Sequence, residues 1–182
     1  MRRVTADEVA LLGPERWREL LRAGHPIEPR SIEGWAYRGT SLGLPAIVER
    51  ATWTRFQKAF HRDAATGRLR GWNVRTVQRI DRSRSEPMRA RDGTPRTFGP
   101  FDVVHARGRG VPHGFDRGLL LDYGCGPRLD PTSRLRDPIV ALHEGDGDLL
   151  LGWSYLTIAG RAIDTPSFFV LEREHRIEHV PE

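Results

Sequence analysis

Lys58 is the residue with the most evident chemical potential, because it is the only lysine in a chain that otherwise uses arginine. The alternation of a β-strand places it on the same face as Phe56 and Phe60. An ammonium group on an apolar face could anchor a ligand carboxylate, and desolvation there would lower its pKa. The alternative is a lysine near a strand end whose ammonium reaches solvent along its alkyl chain.

Asn73 is a polar residue in a run that otherwise reads as a strand, where asparagine is uncommon. Inside a barrel its amide would need a partner, such as Lys58, Tyr123 or a ligand. It equally well marks a β-bulge after Gly71. The sequence leaves these two interpretations open.

Aromatic residues recur on the leucine-bearing faces of the predicted strands. Tyr123 and Tyr155 continue such faces, and Trp35, Trp72 and Trp153 add ring surface. These side chains would line a cavity, although an ordinary packed core uses the same residues. The ligand-binding set that we predict comprises Trp35, Phe56, Lys58, Phe60, Trp72, Asn73, Tyr123, Trp153 and Tyr155.

Other reactive residue types carry weaker signals. Arg136 and Asp137 precede a strand, and we expect a role for this pair only if both side chains are buried. Cys125 lies in a glycine-rich turn, without a recognisable base to activate a thiol. His175 and His179 are four residues apart, a spacing that suits a haem iron on a helix, but their charged tail favours solvent exposure. We predict no metal site and no cofactor.

The elements that must position these residues are β-strands. The last third of the chain contains apolar runs at 137–143, 149–158 and 167–174, separated by turn residues at 144–148 and 159–166. Five further strand-like runs precede them, at 35–40, 54–62, 68–78, 99–106 and 117–124. About eight strands spaced for hairpins are typical of a mainly β protein with an antiparallel up-and-down β-barrel.

The first 30 residues have a helical pattern. Thr5 and Glu8 form a capping-box pattern, and Pro14 stands at the first position of a second helix that ends at Gly24. Such helices would either plug one end of the barrel or pack on the surface of the sheet. Residues 44–50 fit both a helical turn and an extended link.

The domain organisation follows from these patterns and from the length. We predict one domain over residues 1–182, with a helical segment at 1–30, the barrel at 33–174 and a flexible charged loop at 79–97. A single cysteine excludes an internal disulfide and a cysteine-based zinc cluster.

The net charge of +5 raises the question of nucleic-acid binding. The arginines are interspersed with carboxylates, and no aromatic stacking motif accompanies them, so we expect no nucleic-acid partner. No apolar run is long enough to span a membrane, and the N-terminus lacks a signal-peptide core. We therefore expect a cytoplasmic protein; a homodimer is left open.

Short motifs over residues 34–173 carry a family resemblance. They are Gly34-Trp35, the segment from Phe56 to Phe60, Gly71-Trp72-Asn73, Leu121-Asp122-Tyr123, Arg136-Asp137, the run from Leu149 to Gly152 and the run from Phe168 to Leu171. The set is similar to lipocalin-like, or calycin, barrels and to bacterial proteins of the GxWxG type. The resemblance implies a bacterial calycin barrel, a class with members that bind apolar ligands or haem.

The function that we expect first is binding of a small, mostly apolar ligand inside the barrel, either fatty-acid-like or another hydrophobic metabolite. Lys58 and Asn73 would supply the polar contacts. The alternative is an isomerase, cyclase or dehydratase that uses Lys58, Asn73 and Tyr123 for acid–base chemistry. Haem binding through His175 or His179, and a filled barrel that serves as a protein-interaction domain, are further alternatives.

Overall fold

The computed structural model describes residues 3–43, 55–78, 85–127 and 130–181. Within these ranges the helices are Ala6–Ala10 (α1), Pro14–Ala23 (α2) and Pro29–Ile32 (α3). The strands are Trp35–Leu42 (β1), Arg55–Arg62 (β2), Leu69–Arg75 (β3), Thr97–His105 (β4), Leu119–Asp122 (β5), Leu135–His143 (β6), Asp146–Ile158 (β7) and Arg161–Arg176 (β8). The expectations for residues 44–50 and 79–84 fall outside the described residues.

The strands form a closed barrel in which each strand pairs with the next along the chain. Every pairing is antiparallel, and β8 closes the barrel on β1 along a register that runs from Trp35–Arg176 to Leu42–Phe168. The prediction of a mainly β, antiparallel up-and-down barrel is therefore confirmed. Strands β1, β3, β5 and β7 end at one rim of the barrel, which we call the quartet end after the four polar side chains described below. The opposite rim is called the helix end.

Three phenylalanine rings point into the barrel interior, each facing a glycine on the neighbouring strand. A Cβ atom added to Gly39, Gly71 or Gly152 would lie 2.2–2.4 Å from a ring atom of Phe56, Phe101 or Phe169, respectively. No side chain fits at Gly39 or Gly152 unless the facing phenylalanine moves, and at Gly71 the Ala59 carbonyl oxygen, 2.4 Å away, blocks it as well. An eight-stranded barrel has an interior just wide enough for side chains to fill it, and these rings occupy part of that space.

The N-terminal helices show both arrangements that the sequence left open, packing on the outer face of the barrel and packing at one of its ends. Trp17 of α2 packs on the outer face of the barrel, where its ring lies 5.4 Å from that of Phe168, and its indole N–H donates to the Val9 carbonyl. Ile32 at the end of α3 belongs instead to the interior cluster with Tyr37 and Phe60. Because β1 starts directly after α3, this second contact closes the helix end.

Residues 85–96, the described part of the predicted charged loop, form a turn that is held by backbone hydrogen bonds. Ala90 N–H donates to Thr94 O, and Arg96 N–H donates to Met88 O, each at 2.8 Å. The turn is fastened to the end of β3 where Met88 N–H donates to Arg75 O. It therefore lies against the barrel wall near the outer face of β3.

The described helices are short, and none of them has the length and apolar character to cross a bilayer. Over the same residues, histidine, cysteine, aspartate and glutamate side chains form no group of three or more that could hold a metal ion.

Candidate functional site

Four polar side chains meet inside the barrel, near the quartet end. We call Lys58, Asn73, Tyr123 and Asp137 the polar quartet; each is at most 4% exposed. They come from β2, β3, the residue directly after β5, and β6. The strand register brings them together, because Lys58 pairs with Asn73, and Asp137 pairs with Leu121, two residues before Tyr123.

The ammonium of Lys58 is the centre of the polar quartet. It donates to Asn73 Oδ1 at 2.9 Å, to the Tyr123 hydroxyl oxygen at 2.5 Å and to Asp137 Oδ2 at 3.1 Å. These three acceptors use all three N–H groups of the ammonium. Tyr123 in turn donates its hydroxyl proton to Asp137 Oδ2 at 2.9 Å. Lys58 is thus a buried cation, paired with a buried carboxylate.

Asn73 is anchored from the opposite side by the backbone of β4. Its Nδ2 donates to Gly99 O at 3.1 Å and lies 3.4 Å from the Phe98 carbonyl oxygen. These bonds orient the amide so that its oxygen faces Lys58. The sequence left open whether Asn73 has a partner or marks a bulge, and both occur: the β3–β4 register shifts between Gly71 and Asn73.

Aromatic rings surround the Lys58 ammonium. Its nitrogen lies 5.0–5.3 Å from the ring centroids of Phe56, Phe101, Tyr123 and Phe169. A cation within about 6 Å of an aromatic face is attracted by the ring quadrupole, more strongly when water is excluded. The rings therefore stabilise the charge that the barrel interior desolvates.

Burial perturbs the titration of two members of the polar quartet. Desolvation lowers the pKa of Lys58, and the nearby Asp137 carboxylate opposes that shift. Desolvation raises the pKa of Tyr123 well above its ordinary value, and the negative charge of Asp137 acts in the same direction. Titratable groups perturbed in this way by burial and a specific charge partner are concentrated at functional sites.

One oxygen of the polar quartet has no partner among the described residues. Asp137 Oδ1 is buried and accepts no hydrogen bond from them, while Oδ2 accepts from both Lys58 and Tyr123. An unsatisfied buried acceptor costs about 1–3 kcal/mol. The polar quartet can therefore accept one more hydrogen bond from a small molecule, and its Tyr123 hydroxyl lies where a proton could pass between Lys58 and Asp137.

The sequence indicates Lys58, Asn73 and Tyr123, and it gives Asp137 a role only on the condition that Arg136 is buried with it. Asp137 is buried against Lys58, whereas Arg136 pairs with Asp122 at 3.0 Å. Neighbouring residues on a strand point to opposite faces, so Arg136 and Asp137 could not both face inward. In the sequence, Asp137 lies two residues before Ile139, so strand alternation places its carboxylate on the apolar inner face of β6.

The other predicted ligand contacts lie in three different places. Phe56 and Phe60 belong with the interior side chains, and Trp35 lies at the helix end, 4.0 Å from the Arg176 guanidinium. Trp153 and Tyr155 stack on each other at 5.4 Å in the cluster that α2 covers. Trp72 packs with Ala59, Val74 and Ile177 on the outer face of β2 and β3. The structure does not bring these last three rings to Lys58.

The two histidines considered for haem lie beside a cavity of only about 50 Å³. The ring of His175 is engaged at both nitrogens, with Gln57 and with the Arg176 carbonyl. This space and these contacts do not favour haem binding. Cys125 is exposed, and burial of part of its side chain raises the pKa of its thiol, which disfavours the reactive thiolate.

Four cavities lined by described residues have volumes of about 380, 50, 540 and 460 Å³. None of these four has a member of the polar quartet in its wall. The largest of them lies beside His105, Arg107 and Arg117.

Comparisons of the chain with protein-family models, with curated proteins and with solved structures each give no significant match. The barrel that the family resemblance implied is present, while the link to the GxWxG-type proteins has no support from these comparisons.

Proposed function

We propose that the barrel binds a small, mostly apolar molecule whose polar group donates a hydrogen bond to Asp137. The observation that carries this proposal is the unpartnered Oδ1 atom of a carboxylate that is only 2% exposed. A buried ion pair contributes less stability than well-packed apolar side chains of similar volume. A role in recognition accounts for its presence in a core that is otherwise aromatic and aliphatic.

The hydrogen bonds of the polar quartet favour an alcohol or an amide over a carboxylic acid. Lys58 has no free N–H, since Asn73, Tyr123 and Asp137 accept all three. An incoming carboxylate would find no donor and would meet the negative charge of Asp137. This narrows the initial expectation, in which Lys58 anchors a fatty-acid-like ligand, to a neutral ligand with a donor group.

The ligand would reach the polar quartet from the quartet end. Asp137 is the third residue of β6, and Asn73 is the third residue from the end of β3, so both lie near that rim. The opposite end is closed by Ile32, Tyr37 and Phe60. None of the four cavities lined by described residues borders the polar quartet, so binding requires that rings around Lys58, such as Phe56 and Phe101, move aside.

The test compares an alcohol with an acid of the same chain length. Nile red is displaced from the purified protein by 1-dodecanol or by dodecanoate, followed by dye fluorescence. We expect 1-dodecanol to compete at a concentration at least about tenfold lower, which corresponds to about 1.4 kcal/mol. Equal competition by both compounds, or no saturable dye binding, would contradict the proposal.

Asp137→Asn sharpens this test because it exchanges the acceptor for a donor. The amide oxygen would face Lys58 and Tyr123, which leaves an NH₂ group where Oδ1 now lies, and Lys58 loses its counter-charge. We expect the preference to reverse toward dodecanoate. Asp164→Asn is the matched control, because that side chain is 56% exposed and lies outside the barrel interior. It should leave the preference unchanged.

A second candidate function is acid–base catalysis on a small carbonyl compound. The specific observation is that Lys58, Asn73 and Tyr123 converge within hydrogen-bond distance, with Asp137 next to both proton donors. Such an arrangement could accept a proton and stabilise an enolate. Deuterium exchange next to the carbonyl of 2-decanone would be accelerated and lost in Tyr123→Phe. Exchange at the buffer rate would argue against this function.

A further inference from the structure

A separate cavity of about 380 Å³ lies on the outer side of the barrel wall. Trp72 of β3 and Phe98 of β4 line it, together with Val180 and Pro181 of the C-terminal segment. The backbone of β4 divides it from the polar quartet, since Asn73 bonds to the Phe98 and Gly99 carbonyls from the inner side. A volume of this size is within the range of small-molecule sites, about 300–1,000 Å³.

Trp72 borders two cavities. It is only 7% exposed, yet it lines both the 380 Å³ cavity and the smaller cavity of about 50 Å³. Among the described residues, the Trp72 indole N–H donates no hydrogen bond to a protein atom, and it is not one of the buried polar atoms without a partner, so solvent reaches it. The neighbouring His61 ring is 6.3 Å away. This donor is therefore available to a molecule in one of these cavities.

The cavity wall contains one loosely held cation, Arg70, and two carboxylates, Asp63 and Asp130, each of which already accepts hydrogen bonds at Oδ1. Among the described residues Arg70 makes only long contacts, 3.5 Å to Asp63 and 3.6 Å to Asp102, and its side chain is 47% exposed. Asp63 Oδ1 accepts from two backbone N–H groups. In the same wall, Asp130 Oδ1 accepts from the backbone N–H and the hydroxyl of Thr132.

We propose that this cavity is a second binding site, for a planar, uncharged aromatic molecule with a carbonyl acceptor. The ring would pack against Trp72 and Phe98, and the carbonyl oxygen would accept hydrogen bonds from Arg70 or the Trp72 indole. An uncharged ligand suits this wall, because an anion would meet the two carboxylates of Asp63 and Asp130 and a cation would meet Arg70. The site does not depend on the polar quartet, so it stands or falls independently of the proposed function.

The experiment uses the full chain and coumarin as the probe. The chain has five tryptophans, so the nitrogen–proton correlation spectrum should contain five indole signals, and Trp72→Phe identifies the one from Trp72. We expect coumarin to shift that signal saturably while the signals of Trp17, which belongs to α2, and of Trp153, in the cluster that α2 covers, stay in place. A shift spread over all five signals, or no saturable shift, would overturn the proposal.

Arg70→Gln tests the carbonyl contact separately from stacking. Because the Arg70 side chain is 47% exposed, we expect Arg70→Gln to keep the fold, and thermal unfolding checks this. We expect Arg70→Gln to weaken coumarin binding by about three- to tenfold and to leave binding of indene, which lacks the carbonyl, unchanged. Arg16→Gln, on the exposed face of α2, is the matched control. Equal affinity of wild type and Arg70→Gln for coumarin would remove Arg70 from the site.

1-Dodecanol separates the two sites. It should compete at the polar quartet without shifting the Trp72 signal, and coumarin should shift that signal also in Asp137→Asn. Loss of the coumarin response in Asp137→Asn would place the probe in the barrel interior and contradict a second site.

Discussion

At the scale of single residues, the polar quartet depends on the pairing of one cation with one carboxylate. In Lys58→Met, Asp137 would be left buried without its counter-ion, and its hydrogen bond from Tyr123 would not compensate. Removing one partner of a buried pair typically costs about 3–5 kcal/mol. We expect a loss of that order in the free energy of unfolding, measured by urea denaturation.

The double variant Lys58→Met/Asp137→Leu separates the effect of leaving one charge unpaired from the effect of losing the ion pair. Replacing both charges with apolar side chains of similar volume is often neutral or stabilising. Its free energy of unfolding should therefore recover most of the loss. Arg16→Met, which breaks the exposed pair with Glu19, should change stability by less than about 1 kcal/mol. A double variant as unstable as Lys58→Met would mean that the ion pair itself supports the barrel.

The sequence predicted the inner face of β2 well and the partner of Lys58 poorly. Alternation alone put Lys58 beside Phe56 and Phe60, and the structure confirms that these residues lie on one face. The position of Asp137 opposite Lys58 depends on β5 and β6 closing the barrel across from β2, a relation between distant segments. No local pattern contains that information.

At the scale of elements, three strand pairs of the barrel, β1–β2, β3–β4 and β7–β8, contain a glycine that makes room for a phenylalanine on the neighbouring strand. Gly152→Ala would place a methyl group 2.2 Å from the Phe169 ring. Overpacking of a core typically costs about 1–3 kcal/mol. We expect this loss in chemical denaturation, and Gly152→Ala/Phe169→Leu should recover part of it because the smaller side chain gives way.

Gly126→Ala is the control for this prediction. Its added Cβ would lie 3.4 Å from Pro100, an ordinary contact, and its backbone is extended at φ −74°. Its effect should stay within about 0.5 kcal/mol. If Gly126→Ala and Gly152→Ala lowered the free energy of unfolding equally, the loss would come from replacing glycine in the backbone, and the contact with Phe169 would not be its cause.

The predicted strand bounds fail most clearly at the last hairpin. Residues 159–166 read as a loop because of Gly160 and Pro166, yet β8 already starts at Arg161. Ala159 and Gly160 both have positive φ, the geometry of a two-residue hairpin turn, so pairing continues to Ile158–Arg161. Pro166 lies opposite the register shift between Trp153 and Tyr155. A β-bulge at this point needs no backbone N–H from residue 166, so a proline is tolerated there.

At the scale of the whole molecule, the sequence could not decide which face of β7 points inward. Alternation correctly grouped Trp153 and Tyr155 with Leu149 and Leu151, but α2 covers that face from outside. A strand that is buried on both faces gives no polarity signal to separate inside from outside. The closed barrel was predictable from strand spacing, while the residues that share its interior were not.

The burial of the tyrosines predicts how the free energy of unfolding changes with pH above 10. The chain has three tyrosines, and burial raises the pKa of each, to about 12 for Tyr37 and in the same direction for Tyr123 and Tyr155. Above pH 10, the ordinary tyrosine pKa, the unfolded chain releases phenolic protons that the folded barrel retains. Unfolding then gains free energy from proton release, so stability falls as pH rises from about 10 toward 12.

We expect the folded protein to show little tyrosinate absorbance up to pH 10, and to gain it together with the loss of β-sheet circular dichroism. The guanidinium-unfolded chain should titrate near the ordinary value. Tyr123→Phe should reduce the slope of stability against pH in this range, because one of the three retained protons is gone. Tyrosinate absorbance that appears near pH 10 while the circular dichroism is intact would show that water reaches these hydroxyls in the folded protein, and would contradict the prediction.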